Sequence, residues 1–157
     1  MDITTLALLL TRLGRLNEQF LTDHCRAHGT TPAELQVLML LHHHRDEHLS
    51  PSAIGGFIVQ TSGGLTATLR RLEEAGWIDR RPDPDDGRGR LGALTGEGAS
   101  FHDAVFADLL DRYRLVFAAL GDDAALDAVR SLMRGFERLA GSSLSADWTY
   151  RPTVAAP

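Results

Sequence analysis

Residues 50–98 read SPSAIGGFIVQTSGGLTATLRRLEEAGWIDRRPDPDDGRGRLGALTGEG, two helix patterns, a break and a charged hairpin with no filler between them. Ser50 and Pro51 supply a capping side chain and a first-turn proline, and Ile54, Phe57 and Ile58 then share one face at helical spacing. Thr61-Ser62-Gly63-Gly64 breaks and restarts the chain. The helix that follows carries Leu65, Leu69 and Leu72 as one buried stripe at i, i+4, i+7, leaving Gly63, Ala67, Arg70 and Arg71 on the opposite side. After Gly76 the pattern changes to a strand from Trp77 to Arg81, a polar loop from Pro82 to Gly89 and a returning strand from Arg90 to Leu94. This is the order of a helix-turn-helix with a hairpin beside it, a winged helix-turn-helix.

Helical patterns flank this stretch on both sides. Leu6, Leu9, Leu13, Leu16 and Phe20 predict a helix from about Thr4 to His28, stopped by Gly29. Thr31-Pro32-Ala33-Glu34 is a strong start signal: a capping hydroxyl, a proline at the first helical position and a glutamate three residues after the cap. The helix it opens buries Leu35, Leu38, Met39 and Leu41 and runs out in the polar segment from His42 to His48. Beyond the hairpin, Thr95 caps a long helix with an apolar stripe from Phe101 through Val105, Leu109, Tyr113 and Val116 to Leu120, ended by Gly121. Asp122 or Asp123 caps a last helix bearing Leu126, Val129, Leu132, Met133, Phe136 and Leu139, closed by Gly141.

At 157 residues with 43% hydrophobic side chains, the chain fits one domain with a real core. The expected division is a 31–95 winged helix-turn-helix lobe, dimerisation helices at 1–30 and 96–141, and a loose tail at 142–157. The flanking helices carry more apolar surface than one small lobe covers, so a homodimer is expected. No apolar run is long enough for a membrane span, and no secretion signal is visible, which points to a cytoplasmic address. The formal net charge of −5 excludes a protein that coats nucleic acid by bulk attraction, so any DNA contact has to be local. Even between Gln60 and Gly98, carboxylates answer the cations Arg70, Arg71, Arg80, Arg81, Arg88 and Arg90. All 16 basic residues are arginine, so every cationic contact can be bidentate.

The segment from Thr61 to Glu73 followed by Gly76-Trp77-Ile78 resembles the recognition helix of the MarR family of bacterial transcription regulators. Asp79 to Arg88 is similar to that family's wing with its Asp-x-Arg tip, and Leu94-Thr95-Gly96-Glu97-Gly98 to its Leu-Thr-x-x-Gly junction into the long helix. The resemblance extends in helix order from about Leu6 to Leu139. It implies a mainly α fold with a small β-wing and long N- and C-terminal dimerisation helices. It places Ser62, Gly63, Thr66 and Arg70 in or beside the major groove of double-stranded DNA and Arg88 in the minor groove, with Asp86 supporting the wing. Arg71 and Arg90 are further candidate DNA contacts. The resemblance also implies a small aromatic or phenolic effector, bound between the dimer helices and the reading lobe. Paired Gly63-Gly64 weakens the first turn of the reading helix, and Gly87, Gly89 and Gly92 make the wing poor in β-formers. A salt-sensitive binder of moderate strength is therefore expected.

The remaining chemistry is sparse. His42-His43-His44 with His48 has the composition of a metal site, His44 and His48 being the pair to consider, but a polar helix end near the negative pole of the dipole is the better reading. Cys25 lies beside His24, Arg26 and His28, which would lower its pKa if they faced it; an inert buried cysteine is preferred. Asp83, Asp85 and Asp86 read as a solvated turn. No catalytic or nucleotide-binding motif occurs, so neither enzymatic activity nor a cofactor is expected. The reading is a ligand-responsive repressor acting on a pseudo-palindromic operator. Its alternatives are a winged-helix module that binds protein instead of DNA, and a regulator that senses metal or redox state.

Overall fold

The computed structural model describes residues 2–58, 62–83, 89–118, 120 and 123–140. The elements run α1 (Ile3–Ala27), α2 (Pro32–His43), α3 (Pro51–Phe57), α4 (Ser62–Glu74), β1 (Ile78–Pro82), β2 (Arg90–Leu94), α5 (Gly96–Phe117) and α6 (Asp123–Ala140). The fold is mainly helical with one two-stranded antiparallel sheet, in register from Ile78 opposite Leu94 to Pro82 opposite Arg90. Thr61, the wing tip with Asp86 and Arg88, the stops at Gly121 and Gly141, the Asp122 cap and the 142–157 tail lie outside the described residues.

Local chemistry explains the element ends. Asp2 accepts from the amides of Thr4 and Thr5 at the start of α1, and Gly29, at φ +71°, follows its end. Thr31 and Glu34 form both halves of a capping box at α2: Thr31 Oγ1 accepts from the Glu34 amide, and Glu34 Oε2 accepts from the Thr31 amide. Gly76, at φ +75°, turns the chain out of α4 into β1, a left-handed conformation that a side chain resists.

The core has two connected parts. In the lobe, Val37, Leu38, Leu40 and Leu41 of α2 pack with Ile54, Ile58, Leu65, Leu69, Leu72 and Ile78. Beside it, Cys25, Leu35, Val105 and Leu109 hold α1, α2 and α5 together. Phe101 touches both parts and stacks on Trp77 with ring centroids 3.8 Å apart. The α4 stripe is buried as expected, and two expectations change. Helix α2 is buried on more sides than one stripe predicts, with Val37 and Leu40 inside and Met39 only half-buried, because α1 and α5 pack on one side of it and α3, α4 and β2 on the other. Phe57 is exposed and lies near the His44 ring, because α3 ends there and turns Ile58 inward instead.

Gly92 weakens β2 less than β-propensity implies. It exchanges two backbone hydrogen bonds with Leu49, at 2.8 and 2.9 Å, which adds a bridge on the outer side of the hairpin. At the junction into α5, Thr95 Oγ1 accepts from the Gly98 amide at 2.9 Å and donates to the Gly76 carbonyl at 2.8 Å. A Cβ on Gly98 would sit 2.0 Å from the Trp77 carbonyl oxygen, and backbone at that spot cannot swing aside. Gly98→Ala should therefore destabilise the fold by about 1–3 kcal/mol or more through overpacking, read as a lower urea midpoint. Gly96→Ala, with nothing near its Cβ, is the control that should hold.

Candidate nucleic-acid interface

Helix α4 buries Leu65, Leu69, Leu72 and Thr68, which leaves Gly63, Gly64, Thr66, Arg70 and Arg71 exposed. Arg70 is the most open of its arginines, with a 71% exposed side chain and only a 3.6 Å pair with Glu74 one turn along. Ser62 opens the helix.

Arg71 is differently placed. Its Nε donates to Glu34 Oε1 at 2.7 Å, while Glu34 Oε2 accepts from the Thr31 amide and from the Thr30 hydroxyl. The carboxylate that caps α2 thus also anchors α4. Arg90 is similarly engaged: it donates to the Arg80 carbonyl at 2.7 Å and to Glu73 Oε1 at 3.3 Å. Arg80 approaches Glu73 Oε2 at 3.6 Å, so one α4 carboxylate sits between a cation from each wing strand. Arg81 donates to Asp79, and that bond holds the Asp79 carboxyl below the ordinary aspartate value. Sequence spacing cannot signal these clamps, since Glu34 and Arg71 are 37 residues apart; only the capping-box pattern marked Glu34 at all.

The histidine expectations are redistributed. His44 Nδ1 lies 3.5 Å from Glu47, and His48 is exposed. Among the described residues, the groups with metal-ligating geometry are instead His24, His28 and Asp108, and His42, His102 and Asp103. Burial pushes both His24 and His102 below the ordinary histidine value. The i, i+4 spacing of His24 and His28 was visible in the sequence; the partner from α5 was not. Cys25 is fully buried, and burial, reinforced by the nearby Glu34 carboxylate, pushes its thiol up. This is opposite to the shift that its basic neighbours would cause if they faced it.

Comparison with known proteins agrees with this architecture. Residues 28–89 match a model of the MarR family. The chain is 31% identical over 103 residues to the HTH-type transcriptional regulator MhqR of Bacillus subtilis, covering 66% of this chain and 70% of that protein. This chain belongs to the MarR family. It is also 29% identical over 112 residues to the multiple antibiotic resistance protein MarR of Escherichia coli, covering 69% of this chain and 76% of that one. Among solved structures, the Staphylococcus aureus MepR–DNA complex aligns with a TM-score of 0.72 at 19% identity, covering 85% of this chain and 96% of MepR. A cysteine-to-serine mutant of E. coli MarR, complexed with operator DNA, aligns at 0.70 and 24% identity, covering 86% of this chain and 95% of that one. MarR-family proteins are transcription regulators and not enzymes. No helix of this member is long and apolar enough to cross a membrane among the described residues.

The Glu34 clamp makes stability depend on pH. Burial opposes ionisation of Glu34, but hydrogen bonds from Arg71, Thr30 and Thr31 outweigh it, so its native pKa falls below the ordinary carboxylate value. The ionised form therefore stabilises the fold at neutral pH, and this contribution disappears as pH falls through the lowered native value. Glu34→Gln should cost about 1.5–3 kcal/mol at pH 7, a gap from wild type that narrows as the pH is taken below about 4 in urea titrations.

Proposed function

We propose that this MarR-family chain is a homodimeric repressor that binds a pseudo-palindromic operator through two copies of α4 and responds to a small ligand. The observation that carries the reading is α4 itself, whose apolar stripe is locked in the core while its polar face is open. Gly63 allows close backbone approach, and Ser62, Thr66 and Arg70 offer hydroxyl and guanidinium donors to phosphates and base edges. Arg88 enters the minor groove and Asp86 supports the wing, both assigned by resemblance. Arg71 and Arg90 act mainly by position: their ion pairs with Glu34 and Glu73 hold the reading helix and the wing. MepR and E. coli MarR have each been solved with DNA, which supports the same partner here.

Dimerisation is supported by what the single chain leaves uncovered. Leu8, Leu9, Leu13 and Leu16 of α1, Leu115 to Phe117 at the end of α5, and Val129, Met133, Phe136 and Leu139 of α6 are all exposed. A second copy covering these faces sets two reading helices about one turn of the duplex apart. The effector is a small aromatic or phenolic molecule between these helices and the lobe, acting by favouring the lobe spacing that mismatches the grooves.

Gel shifts on duplexes from its own and neighbouring promoters test the DNA reading. Arg70→Ala and Arg88→Ala should each weaken binding by about 1–3 kcal/mol and flatten the salt dependence. Unchanged affinity at several salt concentrations removes these contacts, and no duplex or heparin binding at all favours a protein-interaction module. For the dimer, Leu13→Glu and Phe136→Glu, at positions 60% and 61% exposed in one chain, should shift sedimentation from dimer to monomer.

A further inference from the structure

Three side chains able to ligate a metal converge where α1 ends. His24 and His28 stand one turn apart, and Asp108 comes from α5. His24 Nδ1 lies 3.5 Å and His28 Nε2 3.1 Å from the same Asp108 Oδ2, and the imidazole centroids are 4.7 Å apart. His24 is only 3% exposed, and its Nε2 lies 3.1 Å from the Val105 carbonyl. A carbonyl can only accept, so Nε2 carries the proton and donates. In the neutral ring, Nδ1 is then a bare lone pair, buried without a hydrogen-bond partner beside a carboxylate oxygen. Two acceptors facing one another in a partly dry site repel, and a cation between them relieves the repulsion.

We propose that His24 Nδ1, His28 Nε2 and the Asp108 carboxylate bind a divalent transition metal of the zinc class, stapling the end of α1 to α5. Two imidazoles and a carboxylate suit zinc, cobalt or nickel and do not suit magnesium or calcium. A tetrahedron with bonds of about 2.0–2.1 Å has edges of about 3.3–3.4 Å, a length bracketed by the 3.5 and 3.1 Å separations. The His24 Nε2 to Val105 bond is the outer contact that fixes the tautomer and orientation of a ligating imidazole. The side chains of His28 and Asp108 are 31% and 41% exposed, which leaves an approach from solvent and room for a water as fourth ligand. Arg112 Nε also donates to Asp108 Oδ2, at 3.2 Å, from a side chain 53% exposed, so it releases to solvent when a metal takes that oxygen. In a second group, His42, His102 and Asp103, Asp103 Oδ1 lies 3.1 and 3.0 Å from a nitrogen of each ring, and the Asp103→Asn variant below tells the two groups apart. Because α1 and α5 carry the apolar faces left exposed in the single chain, a metal between them also biases the spacing of the two lobes. That consequence rests on the homodimer reading; the site does not.

The test is titration of tag-free, full-length protein with zinc chloride by calorimetry, and with cobalt chloride by visible absorption. One metal per chain should bind with the intense absorption of tetrahedral cobalt(II) and raise the thermal midpoint. His28→Ala and Asp108→Asn, folded by their metal-free melts, should each lose at least about tenfold in affinity. Asp103→Asn and the double variant His44→Ala/His48→Ala should bind as wild type. No binding by wild type, or binding kept in His28→Ala and Asp108→Asn, overturns the site. These readouts contain no DNA, so a failed operator assay leaves them standing, and a failed titration leaves the operator reading standing.

Discussion

Burial of α2 on nearly every side is the constraint that the rest of the fold obeys. Val37, Leu38, Leu40 and Leu41 face the lobe core, Leu35 faces the cluster shared by α1 and α5, and Gln36 is left exposed. A helix packed on so many sides cannot tilt without opening cavities, each of which removes contacts that a close-packed interior depends on. Helix α4 inherits its orientation from this, because Leu65, Leu69 and Leu72 sit in the same cluster. Glu34 extends the same hold to the surface by capping α2 and gripping Arg71 with one carboxylate.

Charge in the reading lobe serves geometry before it serves attraction. Glu34 positions Arg71, and Glu73 stands between Arg80 and Arg90 from the two wing strands. Arginine suits these roles, since its planar fork holds a carboxylate in a fixed orientation where an ammonium would act as a point charge. With the overall charge negative and Arg71, Arg80 and Arg90 already paired, Arg70 is the arginine that α4 leaves most open.

The outer helices belong to a different energetic regime. Along α1 and α6, and at the end of α5, leucine, valine, phenylalanine and methionine side chains stand in solvent in the single chain. These are the faces that the proposed second copy would cover. The convergence of His24, His28 and Asp108 lies where two of these helices meet, and it is built from a buried imidazole held by a backbone carbonyl. A metal bound there, as proposed, would link the end of α1 to α5.

Periodicity, caps and turn residues were enough to locate the helices, the hairpin and the α4 stripe, because each is written in neighbours a few positions apart. Thr31 and Glu34, Gly29, Gly76 and the Thr95 cap are local signals of this kind, and their physics does not depend on the partner elements. What local pattern could not carry was contact across the fold. The all-round burial of α2, the exposure of Phe57, the capture of Arg71 by Glu34 and of Arg90 by Glu73, and the meeting of His24 with Asp108 all join residues distant along the chain. An arginine on the open side of a helix looks the same in one dimension whether it faces solvent or a buried carboxylate. Only packing in three dimensions, which sets distance and solvent access together, decided which side chains stay open and which are held.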